Sequence, residues 1–151
     1  SSKAEIGNRK APACRRGREG GKQNSINMNW IVEELEKPYD LNVRIRQFVV
    51  AVFEFVESLP NKPGGWAIQK QLTRSVSSVG ANYRAARRGR SKAEYLAKLG
   101  TVEEEADESA YWLELVIAMK WDEKGKGQIL LDEANELTSI IVTLIKKGRD
   151  K

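Results

Sequence analysis

The run QLTRSVSSVGANYRAARRGRSKAEYLAKLG, residues 71–100, constrains this chain more than any other stretch, because the chemistry of its turn can be read residue by residue. Gly89 stands where a helix can stop in the left-handed region without a Cβ clash, Ser91 is a good N-cap, and Glu94, three residues on, supplies the return half of a capping box. Two helices are therefore predicted to meet in a tight hairpin. On the first, Leu72, Val76, Val79, Tyr83 and Ala86 recur at steps of four and three, beside a small-residue stripe of Ser75, Ser78, Asn82 and Ala85 that permits close approach. On the second, Tyr95, Leu99, Val102, Ala106, Ser109, Leu113 and Val116 keep the same alternation, a repeat of about 3.5 residues that implies slightly supercoiled helices, as in a bundle.

Folding the hairpin about Gly89 and Arg90 pairs residues whose numbers sum to about 180. Gly80 then faces Gly100, and two glycines at one level would bring the backbones closer than the ~8–10 Å usual for helix pairs. Arg74 falls beside Glu105, with Glu104 and Glu108 a turn away, so a cross-helix ion pair is expected.

The rest of the chain extends the same pattern. Trp30–Lys37 reads as a short helix interrupted by Pro38. Asp40 then caps a stronger one, carrying Leu41, Ile45, Phe48, Val52, Phe55 and Leu59 and stopped by Pro60. NKPGG (61–65) is a loop by composition, Trp66 opens the second helix, which runs to about Arg88, and Lys92 begins a third that runs to about Trp121. After DEKGKG (122–127), a fourth starts near Gln128, with Leu130, Ala134, Leu137, Ile141 and Leu144 on one face and Lys146 and Lys147 at its negative end. Four helices with short connections and no alternating strand pattern predict an all-α, antiparallel up-down-up-down four-helix bundle. The expected organisation is a disordered basic leader over 1–27, a short N-terminal segment over 28–39 and the bundle over 40–148.

Charge needs the same division. The 151 residues carry 26 bases and 21 acids, but seven of the bases and two of the acids lie within 1–27, which leaves 19 of each in the remainder. The chain after the leader is thus neutral, and the basic pI does not by itself make the bundle a nucleic-acid-binding domain. The leader, rich in Gly, Lys and Arg, has too few apolar side chains to offset its ordering entropy and is expected to be a disordered tail. Two other readings stand beside that one: a nucleic-acid-contacting arm, and sequence lying ahead of a natural start at Met28. Cys14 is the only cysteine, which excludes an internal disulfide and suits a reducing, cytoplasmic setting. No apolar run approaches the ~20 residues that span a bilayer, so no membrane partner is expected.

The runs QLTRSVSSVGANYRAA, SKAEYLAKLG and EEEADESAYWLEL closely resemble a bacterial four-helix-bundle family, some of whose members are encoded within intervening sequences of large-subunit ribosomal RNA genes. The resemblance covers about Asp40 to Ile145. It implies a left-handed four-helix bundle, and relatives of this fold look like ring-shaped homopentamers; it does not imply an enzyme, and related bundle proteins act as accessory factors that bind nucleic acid and partner enzymes. Arg74, Ser78, Gly80, Ala81, Asn82, Tyr83, Lys92, Tyr95, Gly100 and Trp112 match the family's recurrent positions. After Tyr83 the chain departs from it, with Arg84, Arg87, Arg88 and Arg90 where relatives usually carry acids.

The absence of histidine removes most general-base, metal and triad arrangements. Glu103, Glu104, Glu105, Asp107 and Glu108 crowd one helix, yet the Glu-x-x-His of di-iron bundles cannot occur, and no phosphate loop or nucleophile elbow appears. No catalytic residue, metal or cofactor is expected. Trp66 to Lys92 holds seven bases and no acid, while Thr101 to Glu114 holds six acids and no base. Arg84, Arg87, Arg88, Arg90 and Lys92 are the candidate phosphate-binding group, read alternatively as a solvated hairpin tip or as contacts between copies of the chain. Arg74, Gly80, Asn82, Tyr83, Ser91, Glu94, Gly100, Glu105 and Trp112 are assigned structural roles, with Asn82 fixing helix register or satisfying a backbone group. Apolar residues left on outer faces, Val50, Leu115 and Met119, favour an oligomer. The leading expectation is a non-enzymatic oligomeric bundle that binds RNA, DNA or a nucleic-acid-processing protein through the hairpin end; the alternative is a structural or protein-interaction module with no nucleic-acid role.

Overall fold

The computed structural model describes residues 38–150, and the regular structure there is entirely helical: α1 (Pro38–Val56), α2 (Pro63–Arg87), α3 (Lys92–Ala118) and α4 (Lys126–Arg149). No strand occurs among the described residues. The expectations for the leader and for a helix over Trp30–Lys37 lie outside them.

Prolines set the first two helix starts. α1 begins at Pro38, not behind Asp40, because the first helical position has no use for an N–H and proline presets its φ. For the same reason α2 begins at Pro63, ahead of Trp66. α1 gives way after Val56 to tight turns, with Leu59 N–H donating to the Val56 carbonyl at 3.2 Å, although Leu59 itself stays in the core. A Cβ on Gly65 would lie 1.9 Å from the Pro60 carbonyl oxygen, so only glycine lets the first turn of α2 close against this connection.

At the α2–α3 turn, Ser91 Oγ accepts from the Glu94 N–H at 3.1 Å, as a cap should. The capping box is one-sided, because the exposed Glu94 carboxylate returns no bond to the Ser91 N–H. Gly89 does not adopt the expected left-handed conformation; among the described residues only Lys120 and Gly125 have positive φ. What the turn asks of Gly89 is room, since a Cβ there would sit 3.1 Å from the Ala86 carbonyl oxygen and 3.3 Å from the Tyr95 nitrogen. The left-handed stop falls instead at the end of α3. There Lys120 (φ 62) lets the Trp121 N–H reach the Val116 carbonyl at 3.1 Å and its own N–H reach Ile117 at 2.9 Å, the bond pair of a Schellman motif. α3 therefore ends at Ala118, before Trp121. Asp122 then offers both carboxylate oxygens to α4, accepting from the N–H groups of Gly127 at 2.7 Å and Gln128 at 3.0 Å.

One core joins the four helices: Leu41, Ile45 and Val52 of α1, Leu72, Val76 and Val79 of α2, Leu99, Val102 and Leu113 of α3, and Leu137 and Ile141 of α4 are almost wholly shielded. Burial of each such side chain contributes ~1.5–3 kcal/mol. α3 packs most extensively, against α2 on one side and α4 on the other, and the shorter α1 packs less closely against α2 and least against α4. Arg44 of α1 is 1% exposed and spans the α1–α4 contact, its Nε and Nη2 meeting Glu133 Oε2 and Oε1 at 2.7 and 2.9 Å.

The facing of Gly80 and Gly100 is not what the hairpin register predicts. A Cβ on Gly80 would meet Val49 of α1 at 3.5 Å and Ile45 at 3.9 Å, whereas one on Gly100 would meet nothing within 4 Å. Matching levels along a hairpin do not set the rotation of each helix about its axis, and Gly80 turns toward α1. At the α2–α3 seam the close contact is between serines, with Ser109 and Ser75 hydroxyls 2.8 Å apart and buried. Val50 and Met119 are exposed as expected, while Leu115 packs partly buried against the core.

Candidate nucleic-acid interface

The last turns of α2 and the turn that follows carry the basic group. Arg84 and Arg87 lie where the carbonyl end of the helix favours cations, and Arg88 is the C-cap. Arg84, Arg87, Arg88, Arg90 and Lys92 are all exposed, and none enters a salt bridge among the described residues. Arg74, three turns back, is different. Its Nη1 lies 3.3 Å from Glu105 Oε1, its Nη2 bonds Glu108, and its Nε donates to Gln71 at 3.2 Å. Two α3 acids thus pair with the cation at their own level, while the cations of the hairpin end form no salt bridge among the described residues.

The pKa shifts follow this partition. The Glu108 carboxyl is held below its ordinary value, chiefly by the Trp112 indole N–H, which donates to it at 3.0 Å, and next by the hydrogen bond from Arg74. The Arg74 guanidinium is pushed up, first by its hydrogen bond to Glu108. Partial burial raises the Tyr95 phenol. Trp112 is half-buried, edge-on to the exposed Tyr111 ring at 5.0 Å.

Helix packing adds a cation that sequence reasoning missed. A groove of about 670 Å³ runs between α1 and α2. Ile45, Val49, Gly80 and Ala81 line it with Asn42 and Ser77, together with four arginines, Arg46, Arg84, Arg87 and Arg88. Arg46 comes from α1 and is exposed. Its signal was its place beside Ile45, on a helix folded back along α2, but the charge count over Trp66–Lys92 stops short of α1. Arg90 and Lys92 lie beyond the residues that line the groove. The structure thus places three of the five candidates with a new fourth and leaves Arg90 on the turn and Lys92 at the start of α3. A second cavity of about 510 Å³, lined by Phe55, Trp121, Ile129 and Leu130, has Glu54, Asp122, Glu123, Lys124 and Lys126 around it, so its charges are of both signs.

Of the structural assignments, Tyr83 is buried in the core. Asn82 Nδ2 donates at 2.9 Å to both the carbonyl and the hydroxyl of Ser78, one turn back on its own helix, so its bonds are local and do not tie helix to helix. Among the described residues no group of three or more His, Cys, Asp or Glu side chains converges as a metal site, and no helix is long and apolar enough to cross a membrane.

Comparison with known proteins gives two positive findings. The family of 23S rRNA-intervening sequence proteins matches residues 40–143. A crystal structure of a protein of unknown function, from the S23 ribosomal protein family of Bacteroides thetaiotaomicron, superimposes with a TM-score of 0.66 at 28% identity, covering 72% of this chain and 96% of that one. No functionally curated protein matches. The family match spans α1, α2, α3 and most of α4, with the hairpin and its arginines inside it, and the chain belongs to the 23S rRNA-intervening sequence protein family.

Proposed function

We propose that this chain is a non-enzymatic, homo-oligomeric bundle protein that binds nucleic acid, or a nucleoprotein partner, through the basic hairpin end. The observation that carries this reading is the state of the cations: Arg84, Arg87, Arg88, Arg90 and Lys92 are exposed and outside every salt bridge among the described residues, while Arg74 nearby is paired. Guanidinium groups suit phosphate because they bind two of its oxygens at once. The family's name, which refers to 23S rRNA, is compatible with an RNA partner. An up-down-up-down, left-handed course belongs to the same proposal. It is supported by contacts between opposite ends of neighbouring helices, such as Gly148 of α4 against Leu96 of α3, and by the heptad-like spacing of the core.

A second reading, a structural or protein-interaction module with no nucleic-acid role, draws on α1, where Val43, Val50 and Phe53 are 43%, 52% and 44% exposed. Such an apolar stripe suits subunit contacts. Five subunits are what the family resemblance implies.

The deciding measurement is RNA and DNA binding across salt concentrations for the full chain, a chain beginning at Met28, and the triple variant Arg84→Ala, Arg87→Ala, Arg88→Ala. Removing one cation from a phosphate flattens the plot of log affinity against log salt by ~0.7–0.9. Absence of binding at low salt would leave the second reading standing. Light scattering on the same samples counts the subunits.

A further inference from the structure

From the α1–α2 groove we infer that the nucleic acid bound by this protein is a single strand, laid along the groove and held on its α1 side by Arg46; this rests on the nucleic-acid reading above and sharpens it. Shape excludes the duplex first. Proteins that read duplexes push a helix or ribbon outward into the DNA or RNA groove, whereas here the cations edge a concavity in the protein, the arrangement used for single strands. Charge comes next. Arg46 on one side and Arg84, Arg87 and Arg88 on the other give the groove four guanidiniums, and no acid lines it.

The floor supplies the third argument. Half-buried Val49 and exposed Ala81 offer apolar surface above the core residue Ile45, and the missing side chain at Gly80 keeps the space between the helices open, since a Cβ there would already touch Val49. Apolar surface of that kind gains nothing from phosphate but can cover the face of an unstacked base, while the guanidinium planes can stack on bases as well as pair with phosphates. Among the lining residues only Asn42 and Ser77 are neutral hydrogen-bonding side chains, and no aromatic ring is present. Recognition is therefore of backbone and base faces, with little sequence preference.

The test uses the full chain and three changes that separate groove from tip. Arg46→Ala removes the α1 cation, Ala81→Trp fills the groove from an exposed position, and Arg90→Ala with Lys92→Ala strips the turn alone. Circular dichroism melts verify that each variant is folded. Fluorescence anisotropy follows a labelled oligouridylate of roughly 12 nucleotides, within the span of known single-strand sites, and a duplex RNA of the same length.

The expected result is tighter binding of the single strand than of the duplex. Arg46→Ala should weaken it about fivefold at 0.1 M salt, the loss that a slope of ~0.7 per neutralised phosphate gives. Ala81→Trp should weaken it at least as much. Wild-type affinity in both groove variants, with loss only in the Arg90, Lys92 pair, would overturn the groove while leaving nucleic-acid binding at the tip intact. Equal displacement by polyglutamate would overturn it in favour of an acidic protein partner. No binding of either RNA by the wild type would overturn the groove and the proposed function together.

Discussion

The hydroxyl oxygens of Ser75 on α2 and Ser109 on α3 lie 2.8 Å apart with no solvent exposure, and each also lies within hydrogen-bonding distance of a carbonyl of its own helix, Leu72 at 3.1 Å and Glu105 at 2.8 Å. Each hydroxyl has one proton, so the pair is satisfied only as a chain in which one serine donates to the other and the second donates to backbone.

This arrangement predicts weak sensitivity to deletion and strong sensitivity to size. Ser75→Ala or Ser109→Ala leaves the remaining hydroxyl its own carbonyl, so either should cost ~1 kcal/mol in denaturant unfolding, with the double variant less destabilised than the sum of the singles. Ser75→Leu must force the helices apart at their close seam and should cost ~1–3 kcal/mol. Equal losses from the alanine and leucine variants would mean that the serines are there for their hydroxyls and not for their volume.

Arg44 and Glu133 make the second prediction. The guanidinium is 1% exposed and held by two bonds to a carboxylate whose side chain is 19% exposed. Glu133→Ala strips a buried charge of its bidentate partner and is expected to destabilise the protein by ~3 kcal/mol, the low end for breaking a buried ion pair. Replacing both together, Arg44→Met with Glu133→Leu, removes the guanidinium along with this carboxylate and should recover part of that loss. Urea midpoints for the single and double variants check both statements.

These two contacts also mark how far sequence reasoning reaches. The pairing of Arg74 with the α3 acids was legible because a recognisable turn fixed the register of two adjacent helices, and runs of opposite charge lay across from each other in it. Arg44 and Glu133 are 89 residues apart on helices joined by no single turn, so no register linked them. Gly80 and Gly100 show the limit within the hairpin itself. The register gave their levels correctly enough to pair Arg74 with Glu105, yet rotation about the α2 axis, set by packing against α1, decided what Gly80 faces. The groove inherits that limit. Three of its arginines were visible as a cluster, and Arg46 needed α1 to be laid against them.

Acid titration isolates the Glu108 site. Its folded pKa lies below the ordinary 4.5, so the folded state holds the proton less tightly than the unfolded chain does. The stabilisation is complete above about pH 4.5 and disappears as the pH falls through the lowered folded value. Because the carboxylate is 37% exposed and water screens the pair, the gain is ~1 kcal/mol or less. Glu108→Gln should therefore unfold more easily than wild type at pH 7 and match it once the carboxylate of the wild type is protonated. Trp112→Phe removes the largest cause of the shift, the indole hydrogen bond, and NMR titration of Glu108 should then show its pKa rising toward the ordinary value.

The Schellman turn at Lys120 supports a prediction of the opposite sign, a gain in stability. Lys120 has φ 62, a conformation in which a Cβ crowds the following carbonyl at a cost of ~1–2 kcal/mol. The lysine is exposed, and the turn's two bonds are made by backbone, from Trp121 to Val116 and from Lys120 to Ile117. Lys120→Gly should keep both bonds and relieve the crowding. Glycine also loses more chain entropy on folding, by ~0.5–1 kcal/mol, which opposes the gain without cancelling it. The expected net effect is a stabilisation of ~0.5–1 kcal/mol, read as a raised urea midpoint at unchanged slope. Lys120→Ala keeps the Cβ and should give no such rise, so a gain in the alanine variant equal to that in glycine would place the effect in the side chain and not in the turn.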